Sequence, residues 1–283
     1  MSISATAKVV SGAESQAQGS SFYSAMRLLP KPERSAMFAI YAFCRQVDDI
    51  ADEKGPTPEE RCAMLDVWRR AIDSLYTASP TARVSDLAVP TRRFKLKRED
   101  FLAVIDGMEM DVGEPMRRPP FEVLDLYCDR VASAVGRLSV RVFGMEEEPG
   151  AALAHHLGRA LQFTNILRDL DEDAAVGRLY LPDEAMVAAG IATHYHPVAV
   201  LDHANIDVAC RWLAAKANEE YKAADAVLAK RPAGKLRAPR LMAAVYRTIL
   251  RRMEKAGWKA PRERISLGKV QLAWIVATRG LRR

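Results

Sequence analysis

Apolar residues recur at helical spacing through almost all of this chain, and that period leaves little room for a sheet. From Glu33 to Glu53 the residues Met37, Phe38, Ile40, Tyr41, Cys44, Val47 and Ile50 follow a period near that of an α-helix. Gly55-Pro56 stops this run, and Thr57-Pro58-Glu59-Glu60 starts the next with an N-cap, a proline at the first helical position and a capping-box glutamate. That helix runs to Tyr76, and residues 79–92 read as a loop. Further helices are expected over Asp100–Val112, Phe121–Phe143 and Ala151–Asp173, then near 206–230, 236–256 and 266–279. The only strand-like piece is Arg178-Leu179-Tyr180-Leu181, between Gly177 and Pro182. The expected architecture is one all-α domain of roughly eight to ten helices over residues 20–283, preceded by a loose polar tail, 1–19.

Two aspartate pairs interrupt this apolar pattern at the same spacing. Asp48 and Asp52 close the first helix; Asp169 and Asp173 close the one that begins at Ala151. Residues four apart share a helix face, so each pair aims two carboxylates one way and destabilises its helix by about 0.2–0.5 kcal/mol. Arg45 precedes the first pair by one turn, and Gln162, Asn165 and Arg168 lead into the second. Oxygen-only donor sets of this kind suit Mg²⁺, held through a few carboxylates together with substrate phosphates. Calcium-loop, di-iron and zinc readings fail on the letters. Ala174 and Tyr180 stand where an EF-hand starting at Asp169 needs Gly and Glu, and no Glu-x-x-His occurs. His155 and His156 are neighbours expected on different faces, His194 and His196 lie in a loop, and no Cys/His spacing fits zinc.

The net charge of +6 favours anionic partners, and 49% hydrophobic residues allow a sizeable core. Four widely spaced cysteines (Cys44, Cys62, Cys128, Cys210) read as reduced, buried thiols of a cytoplasmic protein. No apolar run reaches the length of a membrane span, and the first residues do not form a signal peptide. The basic runs Arg92–Arg98 and Arg251-Arg252 read as solvated faces or loose contacts with an anionic membrane; nucleic acid is not an expected partner. The apolar segment Ile265–Val276, with Trp274, reads as a core-closing helix, with a place in a membrane interface as the alternative.

Several long motifs stand in order along the chain: Ser20-Ser21-Phe22-Tyr23-Ser24-Ala25-Met26-Arg27-Leu28-Leu29-Pro30, Ala39 to Asp52, Tyr127-Cys128 with Val131-Ala132 and Val135-Gly136, and Gln162 to Asp173 with Gly177 to Pro182. Together they resemble the squalene/phytoene synthase family. The resemblance implies the isoprenoid synthase fold, a single helical bundle around a central apolar cavity. It implies a prenyltransferase, condensing two farnesyl diphosphates head to head to presqualene diphosphate with release of diphosphate, as in bacterial hopanoid pathways. Phytoene synthesis from geranylgeranyl diphosphate, and complete squalene synthesis with NADPH, are the alternatives. NADPH is not expected, and downstream squalene-forming enzymes are the implied partners. By the same resemblance Asp48, Asp52, Asn165, Asp169 and Asp173 hold several Mg²⁺ ions, while Ser20, Ser21, Phe22, Tyr41, Arg45, Gln162, Arg168 and Tyr246 touch diphosphate or prenyl chain. The strip before Ser21 is Gln18-Gly19-Ser20, without the basic residue common in the family.

Overall fold

A computed structural model describes residues 26, 27, 29–113, 115–192 and 196–279. It contains thirteen α-helices among the described residues: α1 (Lys31–Asp52), α2 (Pro58–Ser74), α3 (Ser85–Phe94), α4 (Arg98–Val112), α5 (Phe121–Cys128), α6 (Ala134–Val142), α7 (Glu147–Arg168), α8 (Leu170–Ala175), α9 (Asp183–Ala188), α10 (Pro197–Leu201), α11 (Ile206–Ala229), α12 (Arg237–Ala256) and α13 (Lys269–Arg279). The expected all-α class holds. Thr57 caps α2 as its sequence requires: its hydroxyl accepts from the Glu60 N–H at 3.3 Å, and the Glu60 carboxylate accepts from the Thr57 N–H at 2.8 Å.

Two apolar clusters form the interior. One joins α1, α2, α3, α4 and α6 around Phe43, Phe101 and Ile105; the other joins α5, α7, α11 and α12 around Leu153, Phe163 and Leu213. Phe43 meets both Trp68 and Phe101 edge-on, at centroid distances of 5.6 and 5.3 Å. Helix α7 is central: it packs along α11, α6 and α12.

Four expectations need correction. Residues 79–92 are not a loop: a 3₁₀ turn at Ala82–Val84 leads into α3, because burying Val84, Leu87 and Thr91 outweighs the penalty of Pro90 inside the helix. The strand-like 178–181 makes only an isolated bridge, with Arg118 N–H donating to Leu179 O and Leu179 N–H to Met116 O, both at 2.8 Å. The helix expected over 151–173 breaks at Asp169, whose φ and ψ are −104° and 19°. There the Trp258 indole donates to the Leu167 carbonyl at 3.1 Å, the acceptor that a continuous helix would offer to Asp171.

The fourth correction matters most for the site. The helix expected over 121–143 is divided by a π-helical turn, Asp129–Ser133. Tyr127 and Phe143 line one cavity although they are sixteen residues apart. On an unbroken α-helix they would diverge by roughly 160°; the wider turn takes back part of that rotation. Two arginines clamp it, Arg159 buried and Arg137 half-buried. Arg159, 7% exposed, donates to both Asp125 oxygens (2.7 and 2.9 Å), to Asp129 (3.2 Å) and to Ser133 Oγ (3.0 Å). Arg137 bridges Asp129 (3.1 Å) and Asp100 (2.6 Å). Gly158 lets α7 approach, since a Cβ there would lie 2.8 Å from the Ser133 backbone nitrogen.

Truncating one partner of a buried ion pair costs about 3–5 kcal/mol, against about 0–1 for an exposed one. Arg159→Ala is therefore expected to lower unfolding free energy in urea by several kcal/mol, and Lys216→Ala, which breaks the exposed pair with Glu219, by less than about 1 kcal/mol. Equal effects would contradict the clamp.

Candidate active site

A cavity of about 320 Å³ runs along the seam between the two apolar clusters. Its walls are mainly apolar: Met37 and Ile40 from α1, Val104 and Met108 from α4, Val135 and Val140 from α6, Leu157 and Leu161 from α7. Met26, just before α1, also lines it and is buried. At one end the lining turns polar, with Tyr41, Arg45 and Asp48 from α1 facing Gln162 and Asn165 from α7.

The two acidic segments meet at that end. Arg178 bridges them: its guanidinium donates to Asp52 at 2.7 Å, and its backbone N–H donates to the Asp173 carbonyl at 2.9 Å. Arg45 pairs with Asp48 at 2.9 Å and Asp49 at 3.2 Å. Arg168 donates to Asp169 at 2.8 Å, and Arg264 reaches Asp169 at 2.8 Å and Glu172 at 3.0 Å. Tyr246, buried on α12, lies against Arg168. Despite the break at Asp169, the Asp173 N–H still donates to the Asp169 carbonyl at 2.9 Å, which keeps the pair one turn apart. The expected residues Ser20, Ser21 and Phe22 lie outside the described residues.

Sequence reasoning missed Asp111. This carboxylate, 7% exposed, accepts from the Tyr127 hydroxyl at 2.7 Å and the Tyr180 hydroxyl at 2.8 Å, beneath the stacked rings of the two tyrosines. Its charge is near enough to raise both Asp48 and Asp173. One signal was available: Val104, Met108 and Asp111 share the inward phase of α4, and a charge in the buried phase of a helix calls for a reason. Arg178, Arg264, Tyr127 and Tyr180 were likewise not assigned to the site.

Burial and like charge unsettle these acids. Desolvation and then Asp52 push Asp48 up to about 6, against the pull of Arg45. Desolvation and then Asp169 push Asp173 up to about 7, against Arg178. Asp111 is raised chiefly by burial, although Tyr127 and Arg178 oppose the shift. Asn165 adds a donor suited to a cation: its Oδ1 is buried without a hydrogen-bond partner among the described residues. The donors are all hard oxygens, and they fit Mg²⁺. The histidines do not form a rival centre. His155 and His156 meet at 4.8 Å, beside Glu220, rather than on separate faces. However, His155 Nδ1 accepts from Arg159 at 2.9 Å, whereas a metal-binding histidine donates its second nitrogen outward.

The squalene/phytoene synthase family model matches residues 15–271, and the chain belongs to this family of prenyl-diphosphate-condensing enzymes. A presqualene diphosphate synthase of Zymomonas mobilis is 54% identical over 265 residues, covering 94% of this chain and 89% of the relative. One from Rhodopseudomonas palustris is 53% identical, covering 89% and 90%. A phytoene synthase of Mycobacterium bovis is 37% identical over 64% of this chain and 59% of its own length. The fold is that of a dehydrosqualene synthase solved with a ligand (TM-score 0.78, 24% identity, 95% and 94% of the two chains). A squalene synthase from Alicyclobacillus acidocaldarius shares it as well (TM-score 0.75, 24% identity, 89% and 94%).

Raised carboxylate pKa values carry a stability signature. Between about pH 4 and 7 the folded metal-free protein holds protons on Asp48 and Asp173 that the unfolded chain has released, so their contribution falls as pH rises through that window. Mg²⁺ binds the deprotonated forms. The rise in melting temperature on adding Mg²⁺ is expected to be larger at pH 8 than at pH 5.5, and Asp173→Asn should flatten the difference. An equal rise at both pH values would count against these carboxylates as the ligands.

Proposed function

We propose that the protein is a presqualene diphosphate synthase, acting on two farnesyl diphosphates with Mg²⁺. The observation that carries the reading is the meeting of two acidic segments, through Arg178 and Asp111, at the polar end of an apolar cavity. Identity of 53–54% to relatives with that name over about nine tenths of the chain supports it, against 37% over about two thirds for phytoene synthases.

In this reading Asp48, Asp52, Asn165, Asp169 and Asp173 hold the ions. Mg²⁺ held there would neutralise diphosphate charge and so favour departure of the leaving group. Arg45, Arg168, Arg178 and Arg264, now paired with carboxylates, turn their guanidinium forks to phosphate oxygens. The C1–O bond of one substrate breaks and its diphosphate leaves. The alkene of the second attacks C1, and loss of one proton closes the cyclopropane, so two farnesyl diphosphates give presqualene diphosphate, diphosphate and H⁺. The apolar walls keep water from the allylic cation. Tyr41 and Gln162 orient the chain near C1, and Asp111 holds the Tyr127 hydroxyl in place at the cavity wall. Ser20, Ser21, Phe22 and Tyr246 complete the substrate contacts.

An apolar product needs an apolar destination. No described helix is long and apolar enough to cross a membrane. On α13, Ile275 is buried and closes the core, whereas Val270 (83% exposed) and Trp274 (67%) face outward. This outward pair is the proposed peripheral contact with the membrane.

Purified protein with farnesyl diphosphate and Mg²⁺ is expected to yield presqualene diphosphate by mass spectrometry, unchanged by NADPH. Asp48→Ala and Asp169→Ala should each lower turnover by about two orders of magnitude or more. Squalene formation on adding NADPH would replace this reading by a complete squalene synthase, and turnover of geranylgeranyl diphosphate alone by a phytoene synthase.

A further inference from the structure

We propose that Phe143 is the floor of the cavity and limits each prenyl chain to fifteen carbons. The proposal rests on the function assigned above and concerns how the same site selects its substrate by length.

The cavity has a measurable depth. On α1 the lining runs from Asp48 at the polar end to Met37, eleven residues away, or about 16 Å of helix. On α7 it runs from Asn165 to Leu153, twelve residues, or about 18 Å. The far end is closed by Phe143, the C-cap residue of α6, which is buried. A chain anchored by its diphosphate at the carboxylates must end within this depth. At about 1.5 Å per bond, foreshortened by the zigzag, a farnesyl chain extends roughly 14 Å and a geranylgeranyl chain roughly 19 Å. The shorter chain fits above the Phe143 ring; the longer one reaches it.

The floor is also fixed from below. The Phe143 carbonyl accepts from the Lys235 N–H at 2.8 Å, and Lys235 Nζ donates to Glu33, in the first turn of α1, at 2.7 Å. Gly234, at φ 122°, packs so closely that a Cβ there would lie 3.1 Å from the Phe143 carbonyl oxygen and 2.8 Å from the Met145 side chain. The segment around Gly234 therefore ties the Phe143 backbone at the end of α6 to the start of α1. A fourth isoprene unit has to displace the Phe143 ring, whereas Met108, one turn before Asp111 on α4 and so higher in the wall, is adaptable.

The test compares kcat/KM for farnesyl and geranylgeranyl diphosphate in wild type, Phe143→Leu and Phe143→Ala, with folding checked by circular dichroism. Wild type should favour the fifteen-carbon substrate. The ratio should shift toward the twenty-carbon substrate by about tenfold or more in Phe143→Ala, with Phe143→Leu between them. Phe143→Leu preserves more of the core volume and decides the matter should the alanine variant fail to fold. An unshifted ratio in a folded variant overturns the floor while leaving the proposed reaction intact. A wild-type protein inactive on farnesyl diphosphate removes the parent reading, and this one with it.

Discussion

Carboxylates crowded at one end of an apolar cavity repel each other, and the site is organised around that repulsion. Two unit charges 4 Å apart interact by about 1 kcal/mol in water and about 4 kcal/mol at the effective dielectric of a protein surface. Without metal, arginines offset the cost: Arg45 for Asp48, Arg178 for Asp52, and Arg168 with Arg264 for Asp169. Asp173 has the weakest compensation, and burial with the Asp169 charge pushes it up to about 7. The guanidinium groups supply positive charge next to the carboxylates. Those same groups are the ones a diphosphate needs once cations arrive.

The rest of the fold brings these charges together and keeps them beside an apolar space. Helix α7 carries Gln162 and Asn165 to the polar end and packs along three other helices. The π turn at Asp129–Ser133 keeps Tyr127 and the α6 strip on the same wall, and the Arg159 and Arg137 clamps hold it there. The break at Asp169 leads the chain into α8, with Arg178 two residues beyond its C-cap Val176 and in reach of Asp52. The π turn and the break at Asp169 thus shape the cavity wall and its mouth.

What could be read from the sequence follows from how local the cause is. Helix α1, the α2 cap at Thr57 and the long helices α11 and α12 rest on periodicity and on capping groups three residues apart, and they were legible. The four-residue aspartate spacing marked Asp48, Asp52, Asp169 and Asp173 for the same reason. The break at Asp169 depends on Trp258, and the π turn on Arg159 and Arg137, contacts far off in the chain for the first and on neighbouring helices for the second. Asp111 joins the site only because α4 packs beside α1 and the 178–180 segment folds back upon it. Helices α9 and α10, of six and five residues, are too short for a period to show.

The central claim is that two distant acidic segments form one cation-and-diphosphate site. Crystals grown with Mn²⁺ and inorganic pyrophosphate test it most directly through the anomalous signal of the metal. The account predicts manganese bound by carboxylates from both segments, Asp48 or Asp52 on one side and Asp169 or Asp173 on the other, with pyrophosphate between them. Manganese confined to one segment, or found only at His155, His156 and Glu220, would contradict it.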